Sequence, residues 1–189
     1  MPHHIIFEGA ELAGKSWLMS QVYDYLEPKY NKNKYILDGC HWFNCDVAVY
    51  GTENGKPIIK HYLEIFKQLR DKNILVEKLH ISDIIYNQLY QNKEVNYKKE
   101  EKILNSLGFK IILIAFIEDK KILLKRIQDR LNLYPHYERI LRDPDWYIQQ
   151  QRKYIQEIKK TSLPYLIIWT NQLPNHKLIN DILKWIGEK

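Results

Sequence analysis

Short apolar runs alternate with longer amphipathic stretches along most of the chain. Five of these runs are rich in β-branched or aromatic residues and are bounded by polar or turn-forming residues, which is typical of buried strands. The predicted strands cover residues 4–8, 34–38, 73–77, 109–117 and 163–169. Between them, apolar residues recur with the helical period. The predicted helices cover residues 17–28, 58–70, 82–90, 97–107, 120–134, 145–160 and 177–186, with an irregular segment over 40–57.

This alternation of strands and helices predicts the fold class. Parallel strands need crossover connections, so the pattern indicates an α/β three-layer sandwich, in which helices cover both faces of a five-stranded parallel sheet. A length of 189 residues suits a single domain over residues 1–189. No apolar run approaches the ~20 residues of a membrane span, so no membrane association is expected. In such folds, ligands bind at the carboxyl ends of the strands.

A glycine-rich motif follows the first predicted strand. Gly9, four further residues, and then Gly14, Lys15 and Ser16 match the phosphate-loop pattern in full. The glycines let successive backbone N–H groups converge on phosphate oxygens, and the following helix adds the partial positive charge of its N-terminus. Lys15 would reach the β- and γ-phosphates of ATP. The predicted ATP-binding residues are Gly9, Ala10, Glu11, Leu12, Ala13, Gly14, Lys15, Ser16 and Trp17.

Acidic residues end two of the other predicted strands. Glu77 ends the third strand and Asp38 ends the second. Phosphoryl transfer needs an acidic group at a neighbouring strand end to organise the metal, and the hydroxyl of the phosphate-loop serine is itself a ligand of Mg²⁺. The sequence therefore predicts a Mg²⁺ site formed by Ser16 and Glu77.

Charge and cysteine content add two observations. The formal net charge is +6, and five of the six arginines of this lysine-rich chain fall between Arg126 and Arg152. Arginine grips phosphate through two parallel hydrogen bonds, so the clustering indicates a local anion-binding role. The two cysteines, Cys40 and Cys45, are too few for a disulfide framework or a zinc site, and we expect reduced thiols in a cytoplasmic protein.

Three stretches together resemble the thymidylate kinase and deoxynucleoside kinase group of phosphate-loop nucleotide kinases. "FEGAELAGKS" at residues 7–16 is similar to the opening of that group, and "ILVEKLHISDIIY" at 74–86 to its second signature. "LLKRIQDRLNLYPHYERILRD" at 123–143 lies where the group carries an arginine-bearing lid. The resemblance implies a nucleoside monophosphate kinase-like fold with strand order 2-3-1-4-5 and a helical lid over about residues 126–145.

The resemblance also implies roles for single residues. The catalytic residues would be Lys15, Asp38, Lys78, Arg126, Arg130 and Arg139. The residues that bind the acceptor substrate would be Asp38, Trp42, Phe43, Lys78, Ser82 and Tyr86. The chain departs from the group at two points. Lys78 stands where the group has arginine, and "DGCHWFNCD" at 38–46 replaces the Thr/Arg-Glu-Pro stretch of thymidylate kinases.

These features predict an ATP- and Mg²⁺-dependent kinase of a nucleoside monophosphate, with three alternatives. One is a deoxynucleoside kinase that phosphorylates a nucleoside hydroxyl, because Asp38 followed by Trp42 is similar to that group. Another is a kinase of nucleic-acid 5′ ends, although the spread of basic residues along helix faces favours a small acceptor over nucleic acid. The third, suggested by Lys78, is a non-catalytic nucleotide-binding module. Related enzymes are commonly dimers, so a homodimer is compatible with the resemblance.

Overall fold

Five parallel strands form the central sheet of the protein. The structure is a computed structural model, and it describes residues 2–188. The strands are β1 (His4–Glu8), β2 (Cys40–Asn44), β3 (Asn73–Glu77), β4 (Phe109–Phe116) and β5 (Tyr165–Thr170). Their order across the sheet is β2-β3-β1-β4-β5, and every neighbouring pair is parallel. The predicted fold class and strand order are therefore confirmed.

Helices cover both faces of this sheet. They are α1 (Lys15–Tyr30), α2 (Gly55–Gln68), α3 (His80–Tyr86), α4 (Lys98–Ser106), α5 (Lys120–Leu133), α6 (Pro144–Ile158) and α7 (His176–Ile186). A π-helical turn at Asn87–Gln91 extends α3, and a 3₁₀ helix at Pro135–Ile140 joins α5 to α6. Within residues 2–188, no helix is both long enough and apolar enough to cross a membrane.

The core lies against the three inner strands of the sheet. Every residue of β1 and β3 is buried, and so is every residue of β4 except Lys110. Strands that are covered on both faces must be apolar on both faces, which explains their continuous apolar runs. Phe66 of α2 packs against Phe109 of β4, with 5.2 Å between the ring centroids. Burying one such side chain contributes about 1.5–3 kcal/mol.

The position of β2 differs from the prediction. The apolar run at 34–38 is not a strand, and its residues Tyr35, Ile36 and Leu37 are 94%, 61% and 69% exposed. The strand forms instead at Cys40–Asn44, inside the segment predicted as irregular. As a result, Asp38 comes before the strand and not after it.

Contacts from other elements define where β2 begins. The backbone N–H of Cys40 donates to Oε2 of Glu27 in α1 at 2.6 Å, and the Asn73 side chain donates to the Gly39 carbonyl at 2.7 Å. Gly39 also passes close to the backbone at the end of α1. These contacts involve residues distant in sequence, so local apolarity could not reveal them.

Two smaller features also bear on the predictions. Pro28 does not end the first helix, because it lies in the last turn and the Asn31 N–H still bonds to the Glu27 carbonyl at 2.8 Å. Cys40 and Cys45 are both buried free thiols. Burial raises the pKa of Cys40 to about 12, so this thiol stays protonated.

Substitution of Gly39 tests whether close backbone packing fixes the start of β2. A Cβ atom at Gly39 would lie 2.2 Å from the Glu27 carbonyl oxygen and 2.4 Å from the Asn31 nitrogen. Because backbone atoms cannot move aside easily, we expect Gly39→Ala to lower the free energy of unfolding by about 3 kcal/mol. Urea denaturation followed by circular dichroism measures this change.

Gly187→Ala is the matched control for Gly39→Ala. Gly187 has a φ of +95°, but a Cβ atom there would meet nothing within 4 Å. Only the left-handed backbone then disfavours alanine, at a cost of about 1 kcal/mol. Equal losses of stability in the two variants would contradict the packing argument.

Candidate functional site

The loop from Gly9 to Ser16 connects β1 to α1 and has the backbone shape of a phosphate loop. Gly9 has a φ of +140° and Gly14 a φ of +89°, a region that L side chains rarely adopt. A Cβ atom on Gly9 would also lie 2.2 Å from the carbonyl oxygen of Ile114 in β4. Glycine is therefore required at Gly9 both for the turn and for close contact with the sheet.

Side chains around this loop hold its carbonyl groups. Arg126 donates to the Leu12 carbonyl at 2.9 Å, Thr170 to the Ala13 carbonyl at 2.8 Å, and Lys15 to the Ala10 carbonyl at 2.8 Å. Gly14, which follows Ala13, is the N-cap of α1, and as a glycine it has no side chain to cap the helix. The unpaired N–H groups at this helix start, together with the helix dipole, favour an anion.

Lys15 is the first residue of α1 and supplies a cation at this helix start. Its side chain is buried, and burial lowers its pKa to about 8, with a further lowering from the neighbouring Lys78. The negative charges of Glu11 and Glu77 oppose this shift. An anion in the loop would add to their effect and favour the charged form of Lys15.

Ser16 and Glu77 lie together as predicted for a metal site. The Ser16 hydroxyl donates to Oε1 of Glu77 at 2.6 Å, and Glu77 lies at the carboxyl end of β3. A hydroxyl and a carboxylate are the hard oxygen donors that Mg²⁺ prefers. The residues therefore fit a Mg²⁺ ion, which would supply positive charge beside the phosphate loop.

A cavity of about 850 Å³ opens beside the phosphate loop. Its charged lining residues are Glu11, Lys15, Asp46, Glu77, Lys78 and Arg130. Its aromatic lining residues are Trp17, Tyr50, Tyr86, Tyr90, Tyr134, Tyr137, Trp146 and Tyr147. The remaining lining residues are Leu12, Gly14, Ser16, Asn44, Ala48, Ile140 and Leu141. The cavity thus combines a charged floor with aromatic walls.

Lys78 is the centre of the charged network in this cavity. Its ammonium group donates to Oε1 of Glu11 at 2.7 Å and also to Oδ2 of Asp46. Burial by itself would lower the pKa of Lys78, but Glu11 and Asp46 outweigh it and hold the pKa well above its usual value. Lys78 has a φ of +59°, uncommon for a residue with a side chain, so its backbone carries strain at this site.

The Glu11 carboxylate connects Lys78 to two further side chains, those of Tyr86 and Arg130. Its Oε1 also accepts from the Tyr86 hydroxyl at 2.8 Å, and its Oε2 accepts from Nη1 of Arg130 at 3.3 Å. Burial would raise the pKa of Glu11, but Lys78 and Lys15 outweigh that effect and hold the pKa well below its usual value. Glu11 therefore remains a carboxylate.

One wall of the cavity is a stack of aromatic rings. The rings of Tyr86 and Tyr90 are nearly parallel, with 5.6 Å between centroids, and Tyr90 stacks on Trp146 at 6.4 Å. Tyr137 lies under the Arg130 guanidinium at 5.1 Å. Such surfaces bind flat aromatic groups by stacking.

Several predicted acceptor residues do not reach this cavity. Asp38 lies at the amino edge of the sheet, where its carboxylate is 3.6 Å from the Lys72 ammonium. Trp42 packs on Tyr23 of α1, and Phe43 packs on Phe66 of α2. Ser82 is fully buried and bonds to Glu8 and Tyr154. Asp38, Trp42 and Phe43 lie away from the cavity because β2 begins later than predicted. Ser82 lies in the core.

The predicted arginines divide in a similar way. Arg130 lines the cavity, whereas Arg126 donates to carbonyl groups of the phosphate loop, of Thr170 at the end of β5 and of the next residue, Asn171. Arg139 is exposed on the 3₁₀ helix and does not line the cavity. In place of Arg139, three other residues of the segment predicted as a lid line the cavity, namely Tyr134, Tyr137 and Ile140.

The predicted acceptor residue Tyr86 lines the cavity, whereas the residues at the end of β2 and the other two rings of the aromatic wall, Tyr90 and Trp146, were not predicted from the sequence. Asn44 and Asp46 lie at the end of the strand, the position that the sequence had indicated for Asp38. The four-residue spacing of Tyr86 and Tyr90 in a helical pattern was the available signal for the stack, because such residues share a helix face.

No family model matches the chain, and no curated protein matches it. Solved structures do match it. The YorR protein from Bacillus subtilis, in complex with phosphorylated GDP, is 16% identical with a TM-score of 0.65, covering 96% of this chain and 94% of that one. Deoxyadenosine kinase from M. mycoides with bound dATP is 15% identical with a TM-score of 0.57, covering 98% and 99%.

The gluconokinase from Sinorhizobium meliloti 1021 is a third structural neighbour, at 13% identity and a TM-score of 0.57, covering 98% of this chain and 92% of that one. At such low identities the similarity concerns the fold. The chain therefore has the fold of phosphate-loop kinases, as its resemblance to nucleotide kinases implied.

The lowered pKa of Lys15 predicts proton uptake when an anion binds. With a pKa of about 8 in the free protein, Lys15 is mostly neutral at about pH 9 and mostly charged at about pH 7. A phosphate in the loop favours the charged form, so ADP binding takes up more protons at about pH 9 and weakens as the pH rises. Calorimetry in buffers of different ionisation enthalpy measures this uptake.

Lys15→Met is the control for this prediction, because it removes the titrating group and keeps a side chain of similar length. The extra uptake at high pH should disappear in the variant. Equal proton uptake by the wild-type protein at both pH values would contradict the assignment of Lys15 as the phosphate ligand.

Proposed function

We propose that the protein transfers the γ-phosphoryl group of ATP to a hydroxyl group of a small acceptor that carries an aromatic ring, in the manner of a nucleoside kinase. The observation that carries this proposal is the position of Asp46. Its carboxylate lies beyond the carboxyl end of β2, lines the cavity and pairs with Lys78. A carboxylate there is suited to accept the proton of a hydroxyl.

The donor side of the proposal rests on the phosphate loop. Lys15 and the N–H groups at the start of α1 bind the ATP phosphates. Ser16 and Glu77 would hold Mg²⁺, whose positive charge would offset that of the phosphates. The acceptor oxygen attacks the γ-phosphorus, its proton passes to Asp46, and the bond to the bridging oxygen of ADP breaks. Arg130 lies at the cavity wall paired with Glu11, so the positive charge beside the transferred group comes from Lys15.

The aromatic wall supports an acceptor with a flat ring. A base stacked on an aromatic side chain gains about 1–3 kcal/mol, and Tyr86, Tyr90 and Trp146 form a continuous surface for it.

A nucleoside monophosphate, the acceptor that the sequence favoured, has less support. Binding of its phosphate calls for free cations on the acceptor side of the cavity. Arg126 and Arg139 do not line the cavity, and Lys78 and Arg130 are paired with carboxylates. The geometry thus favours the alternative of a hydroxyl acceptor.

Other predictions from the sequence are independent of this choice. A single domain over residues 1–189, a lid over about residues 126–145, a cytoplasmic location and a homodimer stay predictions. Sedimentation equilibrium tests the dimer. A non-catalytic nucleotide-binding module and a kinase of nucleic-acid ends are the rival functions, and the acceptor assay below separates them from the proposal.

A coupled assay with ATP, Mg²⁺ and a panel of nucleosides and their monophosphates tests the proposal. We expect turnover with at least one nucleoside and a much lower kcat/KM with its monophosphate. The absence of turnover with every nucleoside, in a folded protein that binds ADP, would contradict the proposal. Turnover only with monophosphates or with oligonucleotide ends would contradict it as well.

Comparison of kcat between an Asp46 variant and an Asp38 variant tests the role of Asp46. Asp46→Asn removes the proton acceptor, so we expect kcat to fall by a factor of about 10²–10⁴. Asp38→Asn is the matched control, because Asp38 lies at the opposite edge of the sheet, and its kcat should change by less than about twofold. Similar kcat values for the two variants would contradict the role of Asp46.

A further inference from the structure

Glu11 is an acidic residue within the phosphate loop, a loop that binds anions. Its side chain joins two cations of the acceptor side, Lys78 and Arg130. One oxygen accepts from Lys78 and Tyr86, and the other accepts from Arg130. The carboxylate therefore occupies the place between Lys78 and Arg130 where a phosphate group of a ligand would bind.

The backbone of Glu11 is fixed as well. Its N–H donates at 2.9 Å to the side-chain oxygen of Gln150, a fully buried residue of α6. Because both the backbone and the side chain are held, moving Glu11 out of this place requires breaking several hydrogen bonds together. These hydrogen bonds hold Glu11 at the acceptor side of the cavity.

The charges that line the cavity balance. Lys15, Lys78 and Arg130 contribute three positive charges, and Glu11, Asp46 and Glu77 contribute three negative ones. ATP with its metal ion is itself anionic and engages Lys15. Little positive charge then remains for a second phosphate, and an acceptor phosphate would lie against the carboxylates of Glu11 and Asp46.

We propose that Glu11 is a specificity-determining residue, which neutralises Lys78 and Arg130 and so excludes acceptors that carry a phosphate group. This inference rests on the proposed function for its biological meaning, because it explains why a nucleoside and not a nucleotide would be accepted. The exclusion works by like-charge repulsion and by withholding the two cations. It does not require a clash of shape.

Binding of inorganic phosphate to the protein saturated with Mg²⁺ and a non-hydrolysable ATP analogue tests the inference without any need for turnover. The analogue fills the γ-phosphate position of the phosphate loop as well, so calorimetry with phosphate measures the acceptor side. We expect weak binding to the wild-type protein and an affinity about tenfold higher or more in Glu11→Gln, which keeps the size of the side chain and removes its charge. Unchanged affinity in Glu11→Gln would overturn the inference.

Two further comparisons separate this effect from a general change in charge. Glu118→Gln is the matched control, because Glu118 also pairs with an arginine, Arg152, but does not line the cavity. Its phosphate affinity should equal that of the wild type. In the double variants Glu11→Gln/Lys78→Met and Glu11→Gln/Arg130→Met the gain should be lost, and a gain retained in both would overturn the inference.

Acceptor preference provides the second readout. In Glu11→Gln, the ratio of kcat/KM for a monophosphate to kcat/KM for its nucleoside should rise by about tenfold, and an unchanged ratio would contradict the inference.

If the wild-type protein phosphorylates no acceptor, the proposed function fails while the phosphate titration still decides the role of Glu11. If Glu11→Gln does not fold, Glu11→Asp replaces it. Its shorter side chain cannot reach Lys78 and Arg130 together, so phosphate affinity should rise about threefold, and no rise would overturn the inference.

Discussion

The parallel direction of all five strands determines where the cavity and its side chains lie. Because every neighbouring pair is parallel, the carboxyl ends of β1, β2 and β3 lie along one edge of the sheet. The phosphate loop, Asp46 and Glu77 follow these ends, so residues far apart in the chain line a single cavity. The same constraint places Asp38, which precedes β2, at the other edge.

A buried carboxylate joins two of these strand ends into one unit. Glu8, the last residue of β1, accepts from the backbone N–H of Leu79 at 3.0 Å and from the hydroxyl of Ser82. Burial raises the pKa of Glu8, and its interactions with His80 and Ser82 offset part of that shift. Since Glu8 adjoins the phosphate loop and Leu79 adjoins Lys78, this contact couples the position of the donor site to that of Lys78.

The success of sequence reasoning varied with the range of the interactions involved. The phosphate loop was predictable because its glycines, Lys15 and Ser16 act within eight consecutive residues. The position of Glu77 at the end of β3 was predictable because the strand is apolar on both faces and the apolar run stops at this charged residue. The start of β2 was not, since the exposed run at Tyr35–Leu37 is as apolar as a strand, and the true start depends on contacts with Glu27 and Asn73.

The fold class, the strand order implied by the resemblance and the phosphate loop were thus predictable from the amino-acid sequence, because they depend on local periodicity and on a compact motif. Three other features became visible in the folded chain alone: Asp46 lines the cavity where Asp38 was expected, Arg126 supports the phosphate loop, and Glu11 joins Lys78 to Arg130. The physical reason is that side-chain pairing across a cavity depends on the positions of separate elements, which no local pattern encodes.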